Sequence, residues 1–469
     1  MQRLLNAARD CASEIKKHRS ALIVSHIDAD GLASAAIIIR ALERIGIDFS
    51  HKIVKKLDDK TLEGIADQNP ELVIFTDLGS GVQTKIAMHK LPAIVIDHHQ
   101  PTGEGIVHHL NPHIYGYSGS IELSGAGASY LVARNICSCN DLIPLAIVGA
   151  VGDLQDNREN KLIGINRYIL EEGSKLGIVA FERDLKLFGR QTRPLHKLLE
   201  YSSDPFIPSL SGNEEACLAF LLRLGINLKN EEWRRWIDLS KQEKQLIVSK
   251  LLQHCLENGI SPRNIQRLIG EVYTFLKEPV GTEVRDASEF ATLLNATARY
   301  DFTEVGLAVC LGDRGLAFAY ARNLLHQHRK NLVEGLKFVR EKGIVTLENL
   351  QYFHAGSSIR ETIVGIIAGM SIIGGVSTNS TRSLPIIAFA QAEDGVKVSA
   401  RGSQELVQRG LNLATALSEA ASIVGGVGGG HDIAAGATIP FNSEEEFLRI
   451  LDEKIGEQLG TGKGVKKGC

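Results

Sequence analysis

The chain has 469 residues, 44% hydrophobic and 23% charged, with Lys+Arg 52 against Asp+Glu 55 and a net charge of −3. At about 150 residues per domain this is length for about three domains, and the composition excludes wholesale disorder, a collagen-like repeat and a disulfide-dense miniprotein. With no overall positive field, any polyanion must be bound in a local groove.

Residues 1–20 place apolar side chains at helical spacing among charges and predict a surface helix, not a signal peptide. Apolar runs such as residues 35–39 and 364–368 fall far short of the ~20 residues that span a bilayer. Seven scattered cysteines form no CxxC pair, so the expectation is a cytoplasmic protein with reduced thiols and no membrane partner. Cys137 and Cys139 would make half a metal site, but no second Cys or His pair follows at zinc spacing.

From residue 20 to 155 short apolar runs alternate with helical patterns: ALIVSH then GLASAAIIIRALERIG, ELVIFTD then a helix near 80–90, AIVID then GAGASYLVARNI. That rhythm predicts βαβ units and a mainly parallel sheet, in which ligands collect at the carboxyl ends of the strands. Residues 205–270 read differently. A turn-rich opening leads into a stretch expected to be helical that holds both tryptophans, Trp233 and Trp236, which suit either a small core or a docking face. The α/β style resumes over 271–312, a long connector helix is expected over 313–344, and a second, smaller α/β domain over 345–460. The Gly/Lys-rich tail, 461–469, is expected to be disordered.

The ends of the runs carry the chemistry. The first ends in Ser25-His26-Ile27-Asp28-Ala29-Asp30-Gly31, where a strand's two-residue repeat can aim an imidazole and two carboxylates to one side. The plain alternative is an Asp-rich turn with a helix cap. Thr76-Asp77-Leu78-Gly79 ends the second, and Asp77 could merely cap the next helix. Asp97-His98-His99 ends the third, and Asp153 closes an apolar helix, where a lone carboxylate opposes the macrodipole unless a cation compensates. Jointly, His26, Asp28, Asp30, Asp77, His98 and Asp153 offer six N/O ligands. Such a set suits two divalent ions, Mn²⁺ or Mg²⁺, since thiolates are absent. The glycines at 425–430 follow a helical pattern, not a strand, so they are not a dinucleotide fingerprint. They could bring backbone N–H groups close to a phosphate, within reach of His431 and Arg401, or form a flexible turn.

The order HxDxDG, TDLGSG, DHH and GD, with VKVSARG and GGGH near the end, resembles the DHH/DHHA1 phosphoesterase superfamily. Within its RecJ-like branch the chain is similar to the archaeal GINS-associated nucleases. The resemblance implies a parallel-sheet DHH domain over 1–204 and 271–312 and a smaller α/β DHHA1 domain. It also implies that the 205–270 insert docks on the GINS complex and thereby the replicative helicase. Single-stranded DNA is the implied substrate, with RNA as the alternative, cut 5′→3′ by a two-metal mechanism. His26 and Asp28 would hold one ion, Asp30 and His98 the other, and Asp77 and Asp153 would be shared. His99 would serve the developing oxyanion and Asp97 orient the His pair, so that Asp77, Asp97 and His99 form the catalytic set. Substrate contacts would fall on Asn295 and Arg299, which apart from the resemblance read as a helix surface, and on Ser399, Arg401, Gly428, Gly429, Gly430 and His431, with the second domain closing over the strand. Arg360, at an expected strand-to-helix turn, suits either a DNA contact or a helix cap. Two rivals remain: a non-catalytic replisome scaffold, and a nano-oligonucleotide phosphatase or a 3′→5′ enzyme of the same superfamily.

Overall fold

The computed structural model describes residues 1–202, 206–373 and 384–460, so the expected tail lies outside it. The chain divides into two units, Met1–Leu325 and His326–Cys469.

The first unit is built on a five-stranded parallel sheet of order β2-β1-β3-β4-β5. Its strands are β1 (Ser20–His26), β2 (Asp48–Val54), β3 (Val73–Thr76), β4 (Ala93–Ile96) and β5 (His108–Leu110). The cores of β1, β3 and β4 are buried on both faces, which is why they read as continuous apolar runs. β2 and β5 flank them and carry the mixed, half-exposed sequences DFSHKIV and HHL, so their apolar signal is weak. The helices Ala29–Ile45, Gly125–Ile136 and Ile143–Gly152 pack with the N-terminal helix Gln2–Ile15 into the main core.

A two-stranded antiparallel ribbon, β6 (Val179–Leu185) with β7 (Ile269–Phe275), brackets the helical segment. That segment has its own core, which takes in Leu187, Leu195 and Leu198, upstream of residue 205, as well as Trp236, Leu251 and Leu268. The tryptophans do not lie on its long helix, which begins only at Lys241 behind a Ser240–Glu243 capping box. Trp236 sits in a short 3-10 turn, fully buried, with Nε1 donating to Asp184 at 2.8 Å, whereas Trp233 is exposed.

The second unit is a six-stranded mixed sheet, β12-β13-β11-β10-β9-β8. Its strands are β8 (Val345–Thr346), β9 (Gln351–His354), β10 (Ile386–Ala392), β11 (Gly395–Arg401), β12 (Val427–Gly430) and β13 (Ala434–Ile439). The helices Glu361–Ile373, Leu413–Ile423 and Glu444–Gln458 belong to this unit. The expected connector is the 27-residue helix Leu316–Lys342, which runs from the first unit into the second. The α/β architecture read from the sequence is the one observed.

Candidate metal centre

Because the first sheet is parallel, the residues that follow β1, β3 and β4 emerge at one edge. His26 ends β1 and Asp28 caps the next helix, its Oδ1 accepting from Gly31 N at 3.0 Å. The other oxygen, Oδ2, lies 2.8 Å from His26 Nδ1, so the capping and the site readings of Asp28 both hold. Gly31 is required here, since a Cβ would stand 2.2 Å from the His26 carbonyl oxygen.

Asp77 is not a cap. The 3-10 turn after it starts on Gly79 with no side-chain cap, and Asp77 itself has φ +58° and is 1% exposed. Its Oδ2 lies 3.6 Å from His26 Nδ1 and its Oδ1 3.1 Å from His98 Nε2. His98 Nε2 also meets Asp153 Oδ2 at 3.2 Å and Asp30 Oδ2 at 3.6 Å. Three sets of side chains each bring their N/O atoms within 4.8 Å of one another: His26, Asp28 and Asp77; Asp30, His98 and Asp153; Asp77, Asp97, His98 and His99. Each could hold a cation, and two of the sets share Asp77.

The protonation balance shows a site short of positive charge. Burial and the charge of Asp77 push Asp30 up to about 7, and burial with Asp30 nearby raises Asp153 well above the carboxylate range. Burial opposes ionisation of Asp77, yet the His26 and His98 imidazoles beside it hold it well below that range. Burial likewise opposes protonation of both imidazoles, but Asp28 and Asp77 push His26 up to about 11, and Asp77 and Asp153 push His98 well above its usual value. Even so, His26 Nδ1, both Asp77 oxygens and His98 Nε2 are buried without a well-formed hydrogen bond. Buried polar atoms are nearly always satisfied, and a divalent cation fits this donor set of imidazole nitrogen and carboxylate oxygen.

Surrounding contacts orient the donors, as is usual where imidazoles bind metal. His98 Nδ1 donates to the Gly119 carbonyl at 2.6 Å, which aims its Nε2 at the carboxylates. Gln155 Nε2 donates to the same carbonyl at 2.8 Å, and its own Oε1 accepts from Asn166 at 2.5 Å. Asp30 accepts from Gly125 N at 2.7 Å and Ala126 N at 2.8 Å, at the start of a helix. Asp97 is fully buried and accepts from His98 N, His99 N and His99 Nδ1, the last at 2.8 Å. Burial works against its ionisation, but the bond from His99 brings its pKa down to about 2. The His99 side chain is 54% exposed.

The helix Ala287–Arg299 adds two of the expected residues. Asn295 Oδ1 accepts from Ala29 N at 3.0 Å, and half-buried Arg299 lies within electrostatic reach of Asp28. In the second unit Ser399 and Arg401 share one face of β11, opposite Gly365, whose absent Cβ would stand 3.1 Å from Ser399 Oγ and 2.6 Å from an Arg401 nitrogen. Residues 427–430 of the glycine run form an edge strand, and only Gly425 lies in a turn: Gly429 pairs with Gly436, which pairs with Ser399. Two adjacent strands are therefore bare backbone in the row that carries Ser399. Arg360 lies in the exposed turn before Glu361–Ile373, and His431 is exposed just past β12. Sequence reasoning missed Gln155, Ser80 and Asn111, all buried polar residues near the Asp97-His98-His99 loop. A single sequence offers no signal to separate them from ordinary loop residues.

Comparison with known proteins agrees with this geometry. The DHH family N-terminal domain matches residues 20–149, the DHH-CID domain 187–269 and the DHHA1 domain 349–457. An uncharacterised protein of Methanocaldococcus jannaschii is 33% identical over 446 residues, covering 93% of both chains. The chain belongs to the DHH/DHHA1, RecJ-like phosphoesterase superfamily. The single-stranded-DNA-specific exonuclease RecJ of Bacillus subtilis is 24% identical over 280 residues, 55% of this chain and 35% of that protein, so this chain matches about a third of that relative's length. Among solved structures, RecJ of Thermus thermophilus in complex with Mn²⁺ superposes with a TM-score of 0.59 at 16% identity, over 96% of this chain and 55% of that one. CDC45 of Entamoeba histolytica gives 0.65 at 13% identity, over 97% and 98%. The fold and donor set together give the chain the divalent-metal-binding capability of its superfamily. Among the described residues no helix is long and apolar enough to cross a membrane.

Proposed function

We propose that this chain is a metal-dependent exonuclease that hydrolyses single-stranded DNA from the 5′ end with two divalent cations, Mn²⁺ preferred, in association with the GINS complex and the replicative helicase. One observation carries the reading: buried, unsatisfied imidazole and carboxylate atoms of His26, Asp77 and His98, at the ends of β1, β3 and β4, converge at one sheet edge, with Asp153 from the end of the Ile143–Gly152 helix beside His98. His26 and Asp28 would hold one cation and Asp30 and His98 the other, with Asp77 and Asp153 shared. Bound there, such ions supply an activated water and stabilise charge on the attacking and leaving oxygens.

The chain's own side chains account for the rest. Asp97 fixes the His99 ring through Nδ1, which leaves Nε2 to hold a proton for the departing oxygen. Asn295 anchors the turn that carries Asp28 and Asp30 through its bond to Ala29 N. Arg299, half-buried near Asp28, is suited to a substrate phosphate. Ser399, Arg401, Gly428, Gly429, Gly430 and His431 would contact further phosphates through side chains and backbone, and Arg360 the strand beyond. The 5′ polarity and the GINS partnership rest on resemblance to RecJ-like and GINS-associated nucleases, and exposed Trp233 is a suitable docking residue.

Digestion of 5′- and 3′-end-labelled oligonucleotides with Mn²⁺ tests this. Wild type should release mononucleotides from the 5′ end of single strands, and Asp77→Ala should lose about 10³-fold in rate, the several kcal/mol such ions contribute. No metal-dependent cleavage would favour a scaffold, and cleavage of dinucleotides alone a small-substrate phosphatase. Capture of GINS subunits should weaken with Trp233→Ala.

A further inference from the structure

Behind the Asp97-His98-His99 loop lies a closed network of buried polar groups that the proposed reaction does not use. Asn111 and Ser80 are both fully buried. The Asn111 amide nitrogen donates to Ser80 Oγ at 2.8 Å and to the His99 carbonyl at 2.8 Å, while its oxygen accepts from His113 N at 2.9 Å. Both amide protons and the carbonyl thus have partners. Ser80 N donates to Asp97 Oδ2 at 2.9 Å, and Ser80 Oγ lies 2.8 Å from His109 Nε2. Since Ser80 Oγ accepts from Asn111, its own proton points to His109. Burial pushes the His109 imidazole down, which suits Nε2 as the acceptor. The network therefore has one direction, from amide to hydroxyl to imidazole, and holds the DHH loop at two points: the Asp97 carboxylate and the His99 main chain.

We propose that Ser80 and Asn111 are positioning residues that set the His99 ring against the reacting phosphate. The inference rests on the reading of His99 as the group that serves the leaving oxygen. Asp97 has two oxygens. Oδ1 takes the three donors from His98 and His99, and Oδ2 is held by Ser80 N, so the carboxylate cannot rotate without losing one set. Asn111 tethers the same loop from the His99 carbonyl. Loss of either tether frees the ring while leaving in place the cation donors His98, held by the Gly119 carbonyl, and Asp30, held by Gly125 N and Ala126 N.

Asn111→Asp makes the test selective. The variant keeps the shape and the acceptor that caps the 112–115 turn through His113 N, but presents an oxygen where both donors stood. The expected result is a fall of about 10–100-fold in kcat on a single-stranded oligonucleotide, the scale of an ångström-level misplacement. KM and Mn²⁺ affinity should stay within about twofold. His109→Leu should lose activity and His109→Gln, which restores an acceptor, should recover it. In the metal-free protein, the His99 Nδ1 proton resonance, shifted by its bond to Asp97, should weaken or move in Asn111→Asp. An unchanged kcat, an unchanged resonance, or a loss of kcat matched by loss of Mn²⁺ binding would overturn the positioning role. Wild type assayed alongside separates the two failures: if it does not cleave, the reading of the reaction falls and takes this role with it, whereas active wild type with an equally active Asn111→Asp removes the positioning role alone.

Discussion

Asp77 shows at the scale of one residue how far the site departs from what the chain would do by itself. A non-glycine residue at φ +58° is uncommon, and a fully buried carboxylate there combines backbone strain with desolvation. The sequence context, an Asp just past a strand, suited a helix cap equally well, and only the observed turn excludes that. Gly149 is a second case. It reads as a small residue in an apolar helix, yet a Cβ would stand 2.0 Å from Asp30 Oδ1 and 2.5 Å from Ala126 Cβ. Gly149→Ala should therefore displace the Asp30 carboxylate. We expect an activity loss of about 10²-fold and weaker Mn²⁺ binding, measured by kinetics and by manganese titration, with the fold's circular dichroism retained. A variant that binds Mn²⁺ like wild type would refute the packing argument.

At the scale of elements, periodicity identified the buried strands β1, β3 and β4 and left β2 and β5 unread, because flanking strands with alternating or exposed side chains resemble loops. The segment 271–312 was legible as a return of the α/β style, but the two jobs of its Ala287–Arg299 helix were not. Its far end places Asn295 and Arg299 at the site, while its first turn carries Glu289, fully buried, accepting from Gln191 N at 2.7 Å and from Thr192 Oγ1 at 2.5 Å. Burial, with Asp286 adding its charge, pushes Glu289 from 4.5 up to about 8. The folded chain then holds this proton more tightly than the unfolded one, so the stability it contributes is full below pH 4.5 and is lost as pH rises through 8. Glu289→Gln should flatten that decline and be more stable than wild type at pH 8. Urea midpoints at pH 5, 6.5 and 8 check it, and parallel curves for the two proteins would count against a protonated Glu289.

The whole molecule divides its cores between two units, and the candidate metal centre belongs to the first. Both tryptophans also lie there, so their fluorescence reports on unfolding of that unit. A cation that binds the folded site and not the unfolded chain stabilises by mass action, about 2.7 kcal/mol at 100 times its Kd. Mn²⁺ should accordingly raise the fluorescence-detected melting midpoint of the metal-free protein, and Asp77→Asn should lose most of that gain. An equal shift in both would place the bound ion elsewhere.

The order of residues by itself determined the donor types, their place at the ends of apolar runs, and the α/β class, because strand burial and side-chain chemistry are local properties. Which of those donors face one another, that Asp77 lies in a left-handed turn and not at a cap, and that Ser80, Asn111 and Gln155 brace the loop were decided by tertiary structure alone. Those outcomes depend on contacts between segments tens of residues apart, where a parallel sheet brings several strand ends to one edge and burial turns ordinary polar groups into fixed ones.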